Sequence, residues 1–149
     1  MIRRLKSAGC RDDDLVAIFI SLIRSVLETA CPVFHPQLTQ ENKDDIERVQ
    51  KIACKIILGP RYDGYTTACD LLGLETLDTR REKLCLNFGL KAIKNKKHQD
   101  MFPRDERVPG PRLQTDQLQF LVPLARTARY EKSPIPYIAT LLNEHLFGH

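Results

Sequence analysis

The chain has 149 residues, with 23 Lys and Arg against 19 Asp and Glu, five Cys, nine Pro and no Trp. That length describes one domain of ordinary size and excludes small peptides and multidomain enzymes. With 42% apolar and 28% charged residues it can bury a core, which excludes the disordered and collagen-like classes.

The net charge of +4 is unevenly placed. Residues 1–11 carry four bases and no acid, 12–79 six bases and twelve acids, 80–104 eight bases and two acids, and 105–149 five of each. A basic block beside an acidic one suggests a polyanion-facing surface on part of the molecule.

The opening Met-Ile-Arg-Arg-Leu-Lys resembles a signal n-region, but Asp12, Asp13 and Asp14 separate it from the apolar stretch 15–23, so it reads as native protein. That stretch is far shorter than the roughly 20 residues of a membrane span, and Asp14 and Arg24 close it. Apolar residues at Leu15, Ile18, Phe19, Leu22, Ile23, Val26 and Ala30 predict a first helix over 13–30 with one face in a core. Pro32 ends it, and Pro36 predicts an extended connection. Thr39 is the N-cap of a second helix whose buried stripe is Ile46, Val49, Ala53, Ile56 and Ile57, stopped by Gly59 and Pro60. A turn at 62–65 leads to a short helix over 66–72, ended by Gly73. Thr76 then caps a fourth helix running to about Asn95.

From 98 to 117 the periodicity fails around Pro103, Pro109, Gly110 and Pro111, as in a flexible linker. Residues 119–122 read as a short extended piece, and 135–146 as a final amphipathic helix with Pro136 near its first turn. The expected fold is therefore all-α. A small bundle of four helices occupies a domain over 1–97, followed by a Pro-rich linker over 98–117 and a tail over 118–149 with a short C-terminal helix.

Five cysteines, odd in number and widely spaced, argue against a disulfide framework and for an intracellular compartment, nucleus or cytoplasm. The carboxylates Asp12–Asp14, Asp44 and Asp45 have the chemistry for acid–base or metal work, but dipole and capping roles at helix starts explain them. Cys31, His35, His145 and His149 have zinc-compatible spacing, yet no Cys-x-x-Cys exists and nothing marks an oxyanion hole for a Cys–His pair. No glycine-rich phosphate loop of standard spacing is present. The sequence points to no metal and no cofactor.

The fourth helix carries more. Arg80, Lys83, Asn87, Lys91 and Lys94 recur at intervals of three and four, while Leu84, Cys85, Phe88 and Ala92 fall on a different face. Such a line of bases suits a phosphate backbone, although charge runs are also ordinary solvated helix faces. The candidate nucleic-acid-binding residues are Arg80, Lys83, Lys91 and Lys94, with Arg3, Arg4 and Lys6 as possible additions.

Segments 24–36 (RSVLETACPVFHP) and 46–59 (IERVQKIACKIILG) resemble the region that follows the polymerase palm in non-LTR retrotransposon reverse transcriptases of the jockey-like group. The blocks LGLETL at 72–77, RREKLCLNF at 80–88 and RTARYEKS at 126–133, followed by Ile135-Pro-Tyr137 and Leu141-Leu-Asn143, continue the resemblance in the same order over nearly the whole chain. It departs at Leu22 and Thr29, where Tyr is usual, at Ser25 in place of Pro, and at Phe34 in place of Trp. The resemblance implies the helical thumb and following segment of an RNA-directed DNA polymerase, which grips the template–primer duplex. The palm's paired metal-binding aspartates would lie upstream of Met1, and Tyr62-Asp63-Gly64 is no substitute for them. The chain alone is then not an enzyme. Its residual role would be weak, sequence-blind binding of an RNA–DNA duplex, with the missing palm as protein partner and no membrane. The alternative is a decayed remnant or a helical protein-interaction module with no biochemical activity.

Overall fold

All regular structure among the described residues, 1–105, 119–124 and 126–148, is helical in the computed structural model. Eight α-helices are described: α1 Ile2–Ser7, α2 Asp12–Glu28, α3 Cys31–Phe34, α4 Gln40–Leu58, α5 Tyr65–Leu72, α6 Leu77–Lys94, α7 Ala128–Glu131 and α8 Pro134–Phe147. The all-α expectation holds. The four helices expected in the bundle are α2, α4, α5 and α6 and the expected C-terminal helix is α8; α1, α3 and α7 are added. No single helix among the described residues is long and apolar enough to cross a membrane.

The chain divides into two compact units, Met1–Cys31 with Leu38–Arg81, and Pro32–Gln37 with Glu82–His149. They do not follow the segments 1–97, 98–117 and 118–149. Those segments follow breaks in helical periodicity, whereas the units follow which elements pack together.

In the first unit, α1, α2, α4 and α5 bury Ile2, Leu15, Phe19, Ala53, Cys54, Ile57, Ala68 and Cys69. Helix α2 departs from its expected stripe. Phe19–Arg24 winds as a π-helix, whose wider turn shifts the register of the residues after it. Leu15 and Phe19 stay buried, but Leu22 and Val26, at 70% exposure, face solvent. Ala30 leaves the helix for an exposed left-handed turn (φ 56°). Beyond it, α3 and a 3-10 turn over His35–Gln37 replace the expected extended connection, because Pro32 falls in the first turn of α3, where its missing N–H costs nothing.

Helix α4 begins where the sequence indicates: Thr39 Oγ1 accepts the Asn42 N–H at 3.3 Å. Gly59, with φ 57°, ends it. Its buried line runs through Gln50, Ala53, Cys54 and Ile57, while Val49 is exposed. A polar side chain thus sits at the centre of the unit, and its partners explain why. Gln50 Nε2 donates to Tyr65 Oη at 2.9 Å and to the Glu75 carbonyl at 2.8 Å. Tyr65 in turn donates to Glu47 Oε1, which also accepts the Leu77 N–H at 3.1 Å. One network therefore joins α4 to α5 and to the first turn of α6, supplying partners that buried polar groups need. Burial and this contact with Glu47 push the Tyr65 hydroxyl pKa well up, and burial beside Cys69 pushes the Cys54 thiol up to about 12. Both groups stay protonated at neutral pH.

In the second unit, Cys85, Gly89 and Ala92 of α6 lie buried, as do Ile138, Ala139 and Leu142 of α8. Gly89 marks a close approach: a Cβ there would stand 2.7 Å from Ile138 Cγ2 and 3.1 Å from Leu142 Cγ. The segment 98–105, expected to be linker, is structured. Phe102 is buried, and Arg104 forms an isolated antiparallel bridge with Phe120. Asn143 clamps the Phe120 backbone, accepting its N–H at 2.7 Å and donating to its carbonyl at 2.9 Å. The Arg104 guanidinium lies 4.0 Å above the Phe120 ring. The rest of the expected linker, 106–117, lies outside the described residues.

Candidate nucleic-acid interface

Helix α6 presents the sequence-predicted residues in two different settings. Its buried line is Leu77, Arg81, Cys85, Gly89 and Ala92. Lys83, Asn87, Lys91 and Lys94 all lie on the exposed side, and so does Phe88, which is 40% exposed although apolar. The spacing that suggested a solvent-facing basic line is therefore matched by burial on the opposite side.

Arg80 is held differently. Its Nε donates to Glu28 Oε1 and its Nη2 to Glu28 Oε2 at 3.3 Å, a two-point contact between planar groups. Arg24 approaches the same carboxylate at 3.4 Å. The hydrogen bond that Arg80 donates to Glu28 raises the Arg80 pKa against the effect of burial, whereas burial and then Arg80 itself lower that of Arg24. Arg80 is thus an anchor within the first unit, already engaged by a carboxylate.

Lys91 and Lys94 make no ion pair among the described residues, and both are exposed in the last turns of α6. Lys96 and Lys97 follow directly, also exposed. Cations there complement the carbonyl end of the helix dipole and concentrate positive charge beside the stripe. The sequence reading left these two lysines out because it followed helical periodicity, which stops at the helix end. The Asn-Lys-Lys run at 95–97 was the available signal.

Two of the four bases near the chain start are engaged. Lys6 contacts Asp12 at 2.5 Å, Arg61 pairs with the same carboxylate, and Arg11 reaches Asp13 at 3.5 Å. Asp12 acts through these pairs and its first-turn position; α2 has no side-chain cap. Arg3 and Arg4 are exposed without an ion pair among the described residues. Asp44 accepts from Gln40 and Asp45 pairs with Arg48, both on α4's own surface. No group of three or more His, Cys, Asp or Glu able to hold a metal occurs among the described residues. His149 of the zinc-compatible set lies outside them, and His145 is exposed. No disulfide joins any of the five cysteines.

No family model, curated protein or solved structure matches the chain.

Proposed function

We propose that this chain is a helical nucleic-acid-binding segment of a reverse transcriptase, thumb-like, which grips a template–primer duplex through its phosphates and takes no part in the chemistry. Lys91 and Lys94 carry the reading: two exposed lysines on one side of α6, without an ion pair among the described residues, continued by Lys96 and Lys97. The resemblance over 24–36, 46–59, 72–77, 80–88 and 126–133, continued at 135–137 and 141–143, supplies the polymerase context. On this reading the carboxylates that would hold two metal ions belong to a palm domain outside this sequence, so the isolated chain does not extend a primer. The compartment follows from the function: nucleus or cytoplasm, where an RNA–DNA hybrid is met. Affinity comes from lysine and phosphate alone, so binding is sequence-blind.

The test is a salt titration of the purified chain against an RNA–DNA hybrid and a scrambled hybrid of equal length. Each phosphate contact adds about 0.9 to the slope of log affinity against log salt, so the Lys91→Glu, Lys94→Glu double variant should lose about 2 in slope. Both hybrids should weaken equally. Absence of binding at low salt, or a double variant with unchanged slope, overturns the reading.

A further inference from the structure

The first unit carries a second surface, apart from Lys91 and Lys94. A groove of about 450 Å³ lies against α1, α2 and α4. Ile23, Val49, Ile52 and Ile56 are among the residues that line it, as are Arg3 and Arg4. The three α4 residues stand at i, i+3 and i+7, a single stripe about 10 Å long at the helical rise of 1.5 Å per residue. Ile52 is 50% exposed, and Val49, read from the sequence as core, is exposed too. Ile56 and Ile23 also pack against the core from below, so Val49 and Ile52 are the α4 side chains of the groove that are exposed.

We infer that this groove docks an amphipathic, acidic helix of a partner protein. The stripe has the length and spacing that a helix with i, i+3 or i+4, and i+7 apolar anchors fills. Charge selects the partner's sign. Arg3 and Arg4 make no ion pair among the described residues, whereas neighbouring bases are paired: Lys6 with Asp12 and Arg24 with Glu28. No acidic side chain lines the groove. A helix carrying Glu or Asp beside its apolar stripe supplies both missing complements, and a basic helix would set like charges together. Nucleic acid suits the two arginines but leaves the isoleucines facing phosphate and sugar. This surface is independent of Lys91 and Lys94, so it stands or falls apart from the duplex reading.

The experiment uses the full chain and two synthetic helical peptides with identical leucine spacing, one flanked by Glu and the other by Lys, followed by fluorescence anisotropy at low salt. The Glu peptide should bind at least about ten-fold tighter than the Lys peptide, a difference of about 1.4 kcal/mol. Ile52→Asp should weaken it by about ten-fold or more, a change of the same size. Ile52 is half exposed, so unchanged circular dichroism and thermal midpoint should accompany that loss. Arg3→Glu with Arg4→Glu, at exposed positions, should reverse the peptide preference. The inference is overturned by a Glu peptide that does not bind, by equal affinity for the two peptides, or by an Ile52→Asp variant that binds as the parent does. It is also overturned if sedimentation shows the chain self-associating through this face, with Ile52→Asp monomeric. Failure of the charge-reversed variant to change preference has the same effect. Loss of hybrid binding in that variant, with no peptide bound by the parent, would assign the arginines to nucleic acid instead.

Discussion

Arg80 and Lys91 carry the same charge on the same helix, yet they do different work. Arg80 lies in the first unit, where bases meet acids both near and far in sequence: Arg80 and Arg24 at Glu28, Lys6 and Arg61 at Asp12, Lys43 at Asp78. Lys91 lies in the second, on an exposed helix side that continues into Lys94, Lys96 and Lys97. The first arrangement holds a fold together and leaves little field for a ligand. The second contributes almost nothing to folding and leaves its field available. Positive residues on one helical stripe are therefore not one site, and their partners decide which of them a polyanion can use.

Removing Glu28 tests the first half of that contrast most strongly. Glu28→Ala takes away the acceptor shared by Arg80 and Arg24, groups that are partly or largely buried, and should lower unfolding free energy by about 1–3 kcal/mol. Lys91→Ala should change stability by no more than about 0.5 kcal/mol. Urea unfolding of both variants gives the comparison directly. Equal losses would mean that Arg80 is as loosely held as Lys91, and the distinction between the two regions would be lost.

Gly89 sharpens the second half, since α6 is close-packed on one side while its basic side is open. A methyl group at position 89 would press on Ile138 Cγ2 and Leu142 Cγ, neither of which is the free end of a long chain. Overpacking of that kind costs about 1–3 kcal/mol, and the gain in helix propensity from Gly to Ala returns at most about 1. A net loss near 1–2 kcal/mol is expected for Gly89→Ala, read by thermal or urea unfolding. A stabilised variant would show that α6 and α8 can separate freely, and the buried line through Gly89 would need another explanation.

Local chemistry made part of this molecule legible. Thr39, Gly59, Gly73 and Thr76 mark helix ends because caps and left-handed glycines act within a few residues of themselves. The all-α class follows from the same periodicities. Features that depend on distant partners could not be read that way. Gln50 is central because Tyr65 and Glu75 meet it, and Arg80 is engaged because Glu28, 52 residues away, reaches it. The π-turn at Phe19–Arg24 is a third case: it turns Leu22 and Val26 outward although their spacing is that of a buried face. In the candidate interface, Lys91 and Lys94 were legible as a line, Lys96 and Lys97 were missed, and the loss of Arg80 to a carboxylate had no local signal.

The smallest expected effect concerns pH and again separates paired from exposed charge. The hydrogen bond from Lys6 holds the Asp12 carboxyl below its ordinary value of 3.8; burial opposes this, and Arg61 adds to it. A carboxylate depressed in the folded state contributes stability that is complete above the unfolded value and is lost as pH falls through the folded one. Acidification below about pH 4 should therefore remove a contribution that Asp12→Asn removes at neutral pH. The variant should unfold slightly earlier at neutral pH, by under about 1 kcal/mol, with a shallower acid limb. An acid limb identical to that of the parent would show that Lys6 and Arg61 do not act on Asp12 in solution. Arg61 is 65% exposed, so added salt should screen its share and narrow the difference between parent and variant. The stability difference between the parent and Lys91→Ala should show no such dependence on salt or acid, because that lysine has no acid among the described residues to lose.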